Sequence, residues 1–166
     1  MLKKIRLASE LTFDSIVDGP GLRVVLWTQG CPHQCKGCHN PETWDMEKGF
    51  LKDVDEIIDA IKASRLQKGL TISGGEPFLQ PKPLIEIAKA VKQLGMNIWI
   101  YSGYTYEEII ADQDKRALLE QVDVLVDGKF IEELKSYKLL FKGSSNQRIV
   151  DVPRSLLKQE IVLLED

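Results

Sequence analysis

Apolar positions along this chain alternate between two periods. Leu22-Arg-Val-Val-Leu-Trp-Thr28 is a short run rich in β-branched and aromatic residues, closed by Gly30, and it predicts a strand. From Asp53, residues Val54, Ile57, Ile58 and Ile61 fall on one helical face, with acidic residues in the first turn. Leu70-Thr-Ile72 is a second strand and runs into Gly74-Gly75. Pro83 to Leu94 repeats the helical stripe through Leu84, Ile87, Ala88 and Val91, then stops at Gly95, a residue suited to the position after a helix. Asn97-Ile-Trp-Ile-Tyr-Ser102 is the next strand, and helical segments at Tyr106 to Ala111 and Asp114 to Gln121 follow. Val122-Asp-Val-Leu-Val126 reads as a strand ending at Asp127-Gly128, and Phe130 to Tyr137 as a short helix. The apolar runs Leu139-Leu-Phe141 and Ile149-Val-Asp-Val152 come last, separated by Gly143-Ser-Ser-Asn146.

Strand followed by helix, repeated about five times, calls for a parallel sheet with right-handed crossovers. Near-continuous apolar strands fit a sheet covered on both faces. The polar Gly-containing turns follow strand carboxyl ends, where ligands bind in parallel α/β folds: Gly30, Ser73-Gly-Gly-Glu76, Ser102-Gly103, Asp127-Gly-Lys129 and Gly143-Ser144.

Composition narrows the function classes. The 166 residues allow one domain, residues 1–166, and fall short of the ~250 typical of a complete eight-unit β/α barrel. Lys plus Arg number 22 against 25 Asp plus Glu, so the net charge of -3 gives no general argument for binding nucleic acid or an anionic membrane. No apolar run approaches the ~20 residues of a membrane span, and the start lacks the apolar stretch and cleavage site of a signal peptide. A cytoplasmic protein is expected, with neither nucleic acid nor membrane as partner.

The three cysteines fall in one eight-residue string, Cys31-Pro-His-Gln-Cys35-Lys-Gly-Cys38. An odd number does not suit a disulfide framework, and three thiolates this close can converge on one metal centre. They leave a zinc site or a cubane iron–sulfur cluster one ligand short. From spacing alone, a zinc site completed by His33 or His39 and unrelated free thiols stay open as alternatives.

The C-x3-C-x2-C spacing resembles the cluster-binding signature of the radical S-adenosylmethionine (SAM) enzymes. Gly74-Gly75-Glu76-Pro77 after the second strand resembles that family's GGEP motif. Further strings match the activating proteins of anaerobic (class III) ribonucleoside-triphosphate reductases within it, and extend the resemblance over most of the chain. They are Asp18-Gly-Pro-Gly21, Cys38-His-Asn-Pro-Glu-Thr-Trp44, Tyr101-Ser-Gly-Tyr104, Val124 to Phe130 and Gly143 to Arg148. The pyruvate formate-lyase activating enzyme is similar at the cluster and at Cys38-His-Asn40.

The resemblance implies an α/β fold, an open partial (β/α) barrel of about five to six parallel strands. It implies that Cys31, Cys35 and Cys38 ligate three irons of a [4Fe–4S] cluster and that SAM chelates the fourth. Reductive cleavage of SAM would yield a 5′-deoxyadenosyl radical that abstracts hydrogen from a glycine of the partner reductase, with a reduced flavodoxin- or ferredoxin-type protein as electron donor. Gly74, Gly75 and Glu76 would hold the methionyl amino end, and Gly37, Cys38 and His39 would lie beside adenine or cluster. Asp127 and Lys129 map onto an Asp-x-Lys pair at the cofactor, with Lys129 facing the SAM carboxylate and Ser102 reaching the ribose. Gly37 stands where many members carry an aromatic residue, which leaves His39 or a neighbouring aromatic to cover the base. Competing readings are a small-molecule radical SAM enzyme, such as a 7-carboxy-7-deazaguanine synthase-like protein, an activator of another glycyl radical enzyme, and a metal-stabilised electron-carrier module.

Overall fold

The computed structural model describes residues 3–64, 66–136 and 138–164. The chain opens with three strands, β1 (Lys4–Leu7), β2 (Thr12–Ser15) and β3 (Arg23–Thr28). After the cysteine loop and a 3₁₀ turn at Pro41–Thr43 come β4 (Phe50–Asp53), α1 (Val54–Ala63) and β5 (Gly69–Gly74). A second 3₁₀ turn, Pro77–Leu79, leads into α2 (Pro81–Gln93), β6 (Asn97–Tyr101), α3 (Tyr106–Ile110), α4 (Gln113–Leu119) and β7 (Val124–Asp127). A 3₁₀ turn at Glu132–Leu134, β8 (Arg148–Asp151) and α5 (Val152–Lys158) complete the order.

Among the described residues one eight-stranded sheet runs β4-β1-β3-β5-β6-β7-β8, with β2 also paired to β3. Only β3, β5, β6 and β7 are mutually parallel. The flanking strands pair antiparallel: β1 and β2 with β3, β4 with β1, and β8 with β7. The sheet therefore holds four parallel strands where about five to six are expected, because the apolar run at Ile149 folds back along β7 instead of crossing over. Leu139–Phe141 forms no strand, and the helix expected from Phe130 is the single turn Glu132–Leu134, its Tyr137 end lying outside the described residues.

Alternation along the parallel strands sorts the core into two faces, as a period of two requires. Val24 and Leu26 of β3, Leu70 and Ile72 of β5, Ile98 and Ile100 of β6 and Leu125 of β7 belong to the larger cluster. The helical stripes cover them: Ile57 and Ile61 of α1, Leu84, Ile87, Ala88 and Val91 of α2, and Leu118 and Leu119 of α4. The intervening residues Trp99, Val124 and Val126 form a smaller cluster with Tyr101, Phe141 and Ile149, covered by the late loop and β8. Helix starts follow capping chemistry. Thr105 and Glu108 close a full capping box on α3, and Asp112 and Asp151 accept from the third residue of α4 and α5. No helix of the described residues is long and apolar enough to cross a membrane.

Register places the site. Thr28 pairs with Gly74, Ile72 with Ile100, and Tyr101 with Val126, so the carboxyl ends of β3, β5, β6 and β7 share one rim.

Candidate functional site

Two loops meet where β3 and β5 end. Gly75 N donates to Thr28 O at 2.8 Å and Glu76 N to Gly30 O at 2.7 Å, which brings the start of the cysteine loop against the Gly74-Gly75 turn. A side chain at either glycine would collide with backbone: a Cβ at Gly74 would lie 2.4 Å from Thr28 N and O, and one at Gly75 2.4 Å from Gly30 O. Both glycines are thus required by the packing of the two strand ends on each other, in addition to bordering the site.

On this rim lies a cleft of about 200 Å³. Cys31, Cys35 and Cys38 all line it, opposite Ser73, Gly74 and Gly75. The thiols are half-buried and free. Burial pushes the Cys31 and Cys35 thiols above the ordinary thiol value, while backbone amides, of His33 at Cys31 and of Phe130 at Cys35, pull the other way. Asn40 N donates to Cys38 Sγ at 3.4 Å. His39, Tyr101, Ser102, Gly103, Phe130 and Gln147 complete much of the wall. The His39 ring meets Phe130 edge-on, with centroids 5.3 Å apart.

Glu76 is placed differently. Its carboxyl group is fully buried and does not border the cleft. It accepts from Ser102 Oγ at 2.9 Å on both oxygens, from Gly103 N at 2.8 Å and from Phe78 N at 3.1 Å. His33 Nε2 stands 2.7 Å from its Oε1. Glu76 therefore joins three loops, those after β3, β5 and β6. Asp127 is likewise buried: Tyr106 N donates to it at 2.7 Å, closing the start of α3, and Arg148 grips both its oxygens. Arg148 also holds Glu107, and these two carboxylates raise the arginine pKa further. Lys129 is exposed on a neighbouring groove, from which its charge lowers the Cys35 pKa.

Of the residues singled out in the sequence, the structure gathers Cys31, Cys35, Cys38, His39, Gly74, Gly75 and Ser102 onto one cleft. Gly37, Glu76, Asp127 and Lys129 do not line it. Gly37 is exposed in the cysteine loop, where a Cβ would meet the Glu132 carboxyl carbon at 2.9 Å. Tyr101, Phe130, Gly143 and Gln147 line the cleft without having been selected individually. The only signal for the last two is the polar string Gly143 to Arg148.

The donor set suits an iron–sulfur cluster. Three thiols on one loop face a shared space, and a backbone N–H bonds the Cys38 sulfur, a kind of contact that tunes such clusters. Among the described residues no group of three or more His, Cys, Asp or Glu is already drawn together as a metal site.

Comparison with known proteins agrees with this chemistry. Residues 17–150 match the family described as a 4Fe-4S single cluster domain. The chain is 40% identical over 141 residues to the anaerobic ribonucleoside-triphosphate reductase-activating protein of Escherichia coli (strain K12), covering 80% of this chain and 90% of that protein. It is 41% identical over 143 residues to the protein of the same name from Vibrio cholerae, covering 81% and 90%. With the one from Enterobacteria phage T4 it shares 39% over 141 residues, covering 80% and 86%. With its cysteine loop inside the matched region, this chain belongs to the 4Fe-4S single cluster domain family and, within it, to the anaerobic ribonucleoside-triphosphate reductase-activating proteins.

Proposed function

We propose that the protein is a radical SAM activase that installs a glycyl radical on an anaerobic ribonucleoside-triphosphate reductase. The observation that carries this reading is that all three cysteines and the Gly74-Gly75 turn line one cleft at the β3–β5 junction. Cys31, Cys35 and Cys38 would hold a [4Fe–4S] cluster, which together with SAM would supply the one-electron chemistry that removes hydrogen from a glycine of the reductase. The protein supplies binding, orientation and protection from side reactions.

Its residues divide these tasks. Cys31, Cys35 and Cys38 hold the iron, and the half-burial of these three residues limits water at the cluster. Gly74 and Gly75 offer backbone to the methionyl end, on a turn that the buried Glu76 fixes from behind through Ser102 and Gly103. His39 with Phe130 forms an aromatic wall for the base in place of a side chain at Gly37. Lys129 contributes positive charge on the Cys35 side of the rim, and Asp127 braces the turn that carries it through Arg148. The four parallel strands act as the wall of an open partial barrel, whose missing side admits a protein segment. A reduced flavodoxin- or ferredoxin-type protein serves as electron donor. No feature of the cleft favours a small-molecule substrate, and the named relatives are all activating proteins.

The test is anaerobic reconstitution with iron and sulfide, followed by reduction with SAM, with and without the reductase. The expected products are 5′-deoxyadenosine and a glycyl radical signal on the reductase. Absence of 5′-deoxyadenosine would overturn the SAM reading. Its formation without the glycyl signal would overturn the partner.

A further inference from the structure

The backbone ladder between β7 and β8 ends at Asp127 and Arg148, but the pairing continues beyond it through side chains. Arg148 donates to both oxygens of Asp127. Gln147 Nε2 then donates to Gly128 O at 3.0 Å, Asn146 Nδ2 to Lys129 O at 2.9 Å, and Ile131 N to Ser144 Oγ at 3.2 Å. Each step forward on one segment is a step back on the other, so the antiparallel register is kept where the backbones no longer pair. The string 144–148 is thereby a clamp on the loop 127–131.

Gln147 differs from the other rungs. Its Oε1 also accepts from Gly143 N at 2.8 Å and Ser144 N at 3.1 Å, so one side-chain amide fixes both segments. Two N–H donors face its oxygen and a carbonyl faces its nitrogen, which determines the amide orientation. Of the clamp residues 144–148, it alone borders the cysteine cleft, beside Gly128, Phe130 and Gly143. The loop it holds reaches the cluster end, since Phe130 lines the cleft with Cys35 and its ring meets His39. Gly143 supports that ring closely, for a Cβ there would lie 3.0 Å from Phe130 Cδ2.

We propose that Gln147 is a positioning residue for SAM: by bonding Gly128 and Gly143 at once, it sets the Phe130 wall of the cleft at the spacing the cofactor needs. This inference rests on the radical SAM reading above. It is tested on the reconstituted protein with Gln147→Ala, Gln147→Glu and, as a control at the far end of the clamp, Ser144→Ala. The readouts are iron content, thermal midpoint and the SAM concentration that half-saturates the change in the EPR spectrum of the reduced cluster.

Gln147→Ala is expected to raise that concentration on the order of tenfold, the scale of lost supporting contacts at such sites, with iron content unchanged. Gln147→Glu keeps the acceptor for Gly143 and Ser144 but lacks the N–H for Gly128, and should fall between the alanine variant and the original. Ser144→Ala should lower the thermal midpoint without moving the SAM response. Half-saturation unchanged in both Gln147 variants, or shifted equally in Ser144→Ala, would overturn the assignment, and if the alanine variant does not fold, the glutamate variant decides. A wild-type cluster whose spectrum ignores SAM would instead overturn the cofactor reading, and this inference with it.

Discussion

Across the β3–β5 junction, two segments face each other that are bonded in opposite ways. In the cysteine loop, Cys38 N reaches Cys35 O, Asn40 N reaches Cys38 Sγ, and the three half-buried thiols, none in a disulfide, lie along a cleft. Opposite them, Glu76 is wholly buried and its two oxygens are occupied by Ser102, Gly103, Phe78 and His33. Thiols are metal donors, and three on one cleft offer coordination to an external group, whereas a buried carboxyl group is satisfied by its neighbours. A carboxyl group with its bonding capacity used internally serves as frame. On the proposed function, ligation falls to the loop and rigidity to the turn, although both stand on the same rim.

The largest effect should come from the open side. Replacing Cys31, Cys35 or Cys38 singly by Ala should reduce the iron content of the reconstituted protein to background, because three ligands are the minimum the site has. The thermal midpoint of the metal-free protein should move little. A full iron complement in any one variant would remove that cysteine from the ligand set.

The next effect belongs to the frame. Glu76→Ala strands buried donors on three loops and should lower folding stability by about 3 kcal/mol, seen as a lower urea midpoint of the metal-free protein. An unchanged midpoint would break the contrast. Gly75→Ala should cost about 1–3 kcal/mol, because its Cβ would meet Gly30 O at 2.4 Å and push the cysteine loop off the turn.

An exposed carboxylate sharpens the same comparison. Arg148 holds Glu107 below the usual carboxylate range, mainly through their hydrogen bonds. A folded-state pKa below the unfolded one adds stability above the unfolded value, and this is lost as pH falls through the folded value. With the Glu107 side chain 60% exposed, solvent screening holds the gain under about 1 kcal/mol. Glu107→Gln should therefore lower the urea midpoint slightly at pH 7, with the difference vanishing in acid. A loss at neutral pH as large as that of Glu76→Ala would show that burial does not set the ranking.

Legibility followed the range of the interactions. The parallel strands and the stripes of α1 and α2 could be read because apolar periodicity reports burial directly. Direction along the sheet is not in that signal: Ile149-Val150 looks like the other strands, yet it pairs antiparallel with β7. Lys4-Ile-Arg-Leu7 and Phe50-Leu-Lys-Asp53 are only four residues each, too short to stand out, and pair mainly with each other at the sheet edge. In the apolar run 139–141, Phe141 covers Trp99, with ring centroids 5.3 Å apart, while Leu140 is exposed, so the run does not extend the sheet. In the site, the cysteines and glycines carry their meaning in local spacing. The capture of Glu76 by Ser102 and His33, or of Gly128 by Gln147, joins residues far apart in the chain, and no local pattern encodes it.

On the proposed function, the cysteine loop holds an iron–sulfur cluster with one position left for SAM. This is tested most directly by metal analysis of the anaerobically reconstituted protein, together with EPR of its reduced form before and after SAM is added. The expected result is about four irons per chain and a spectrum altered by SAM. A single tightly held zinc, or a cluster spectrum indifferent to SAM, would contradict it.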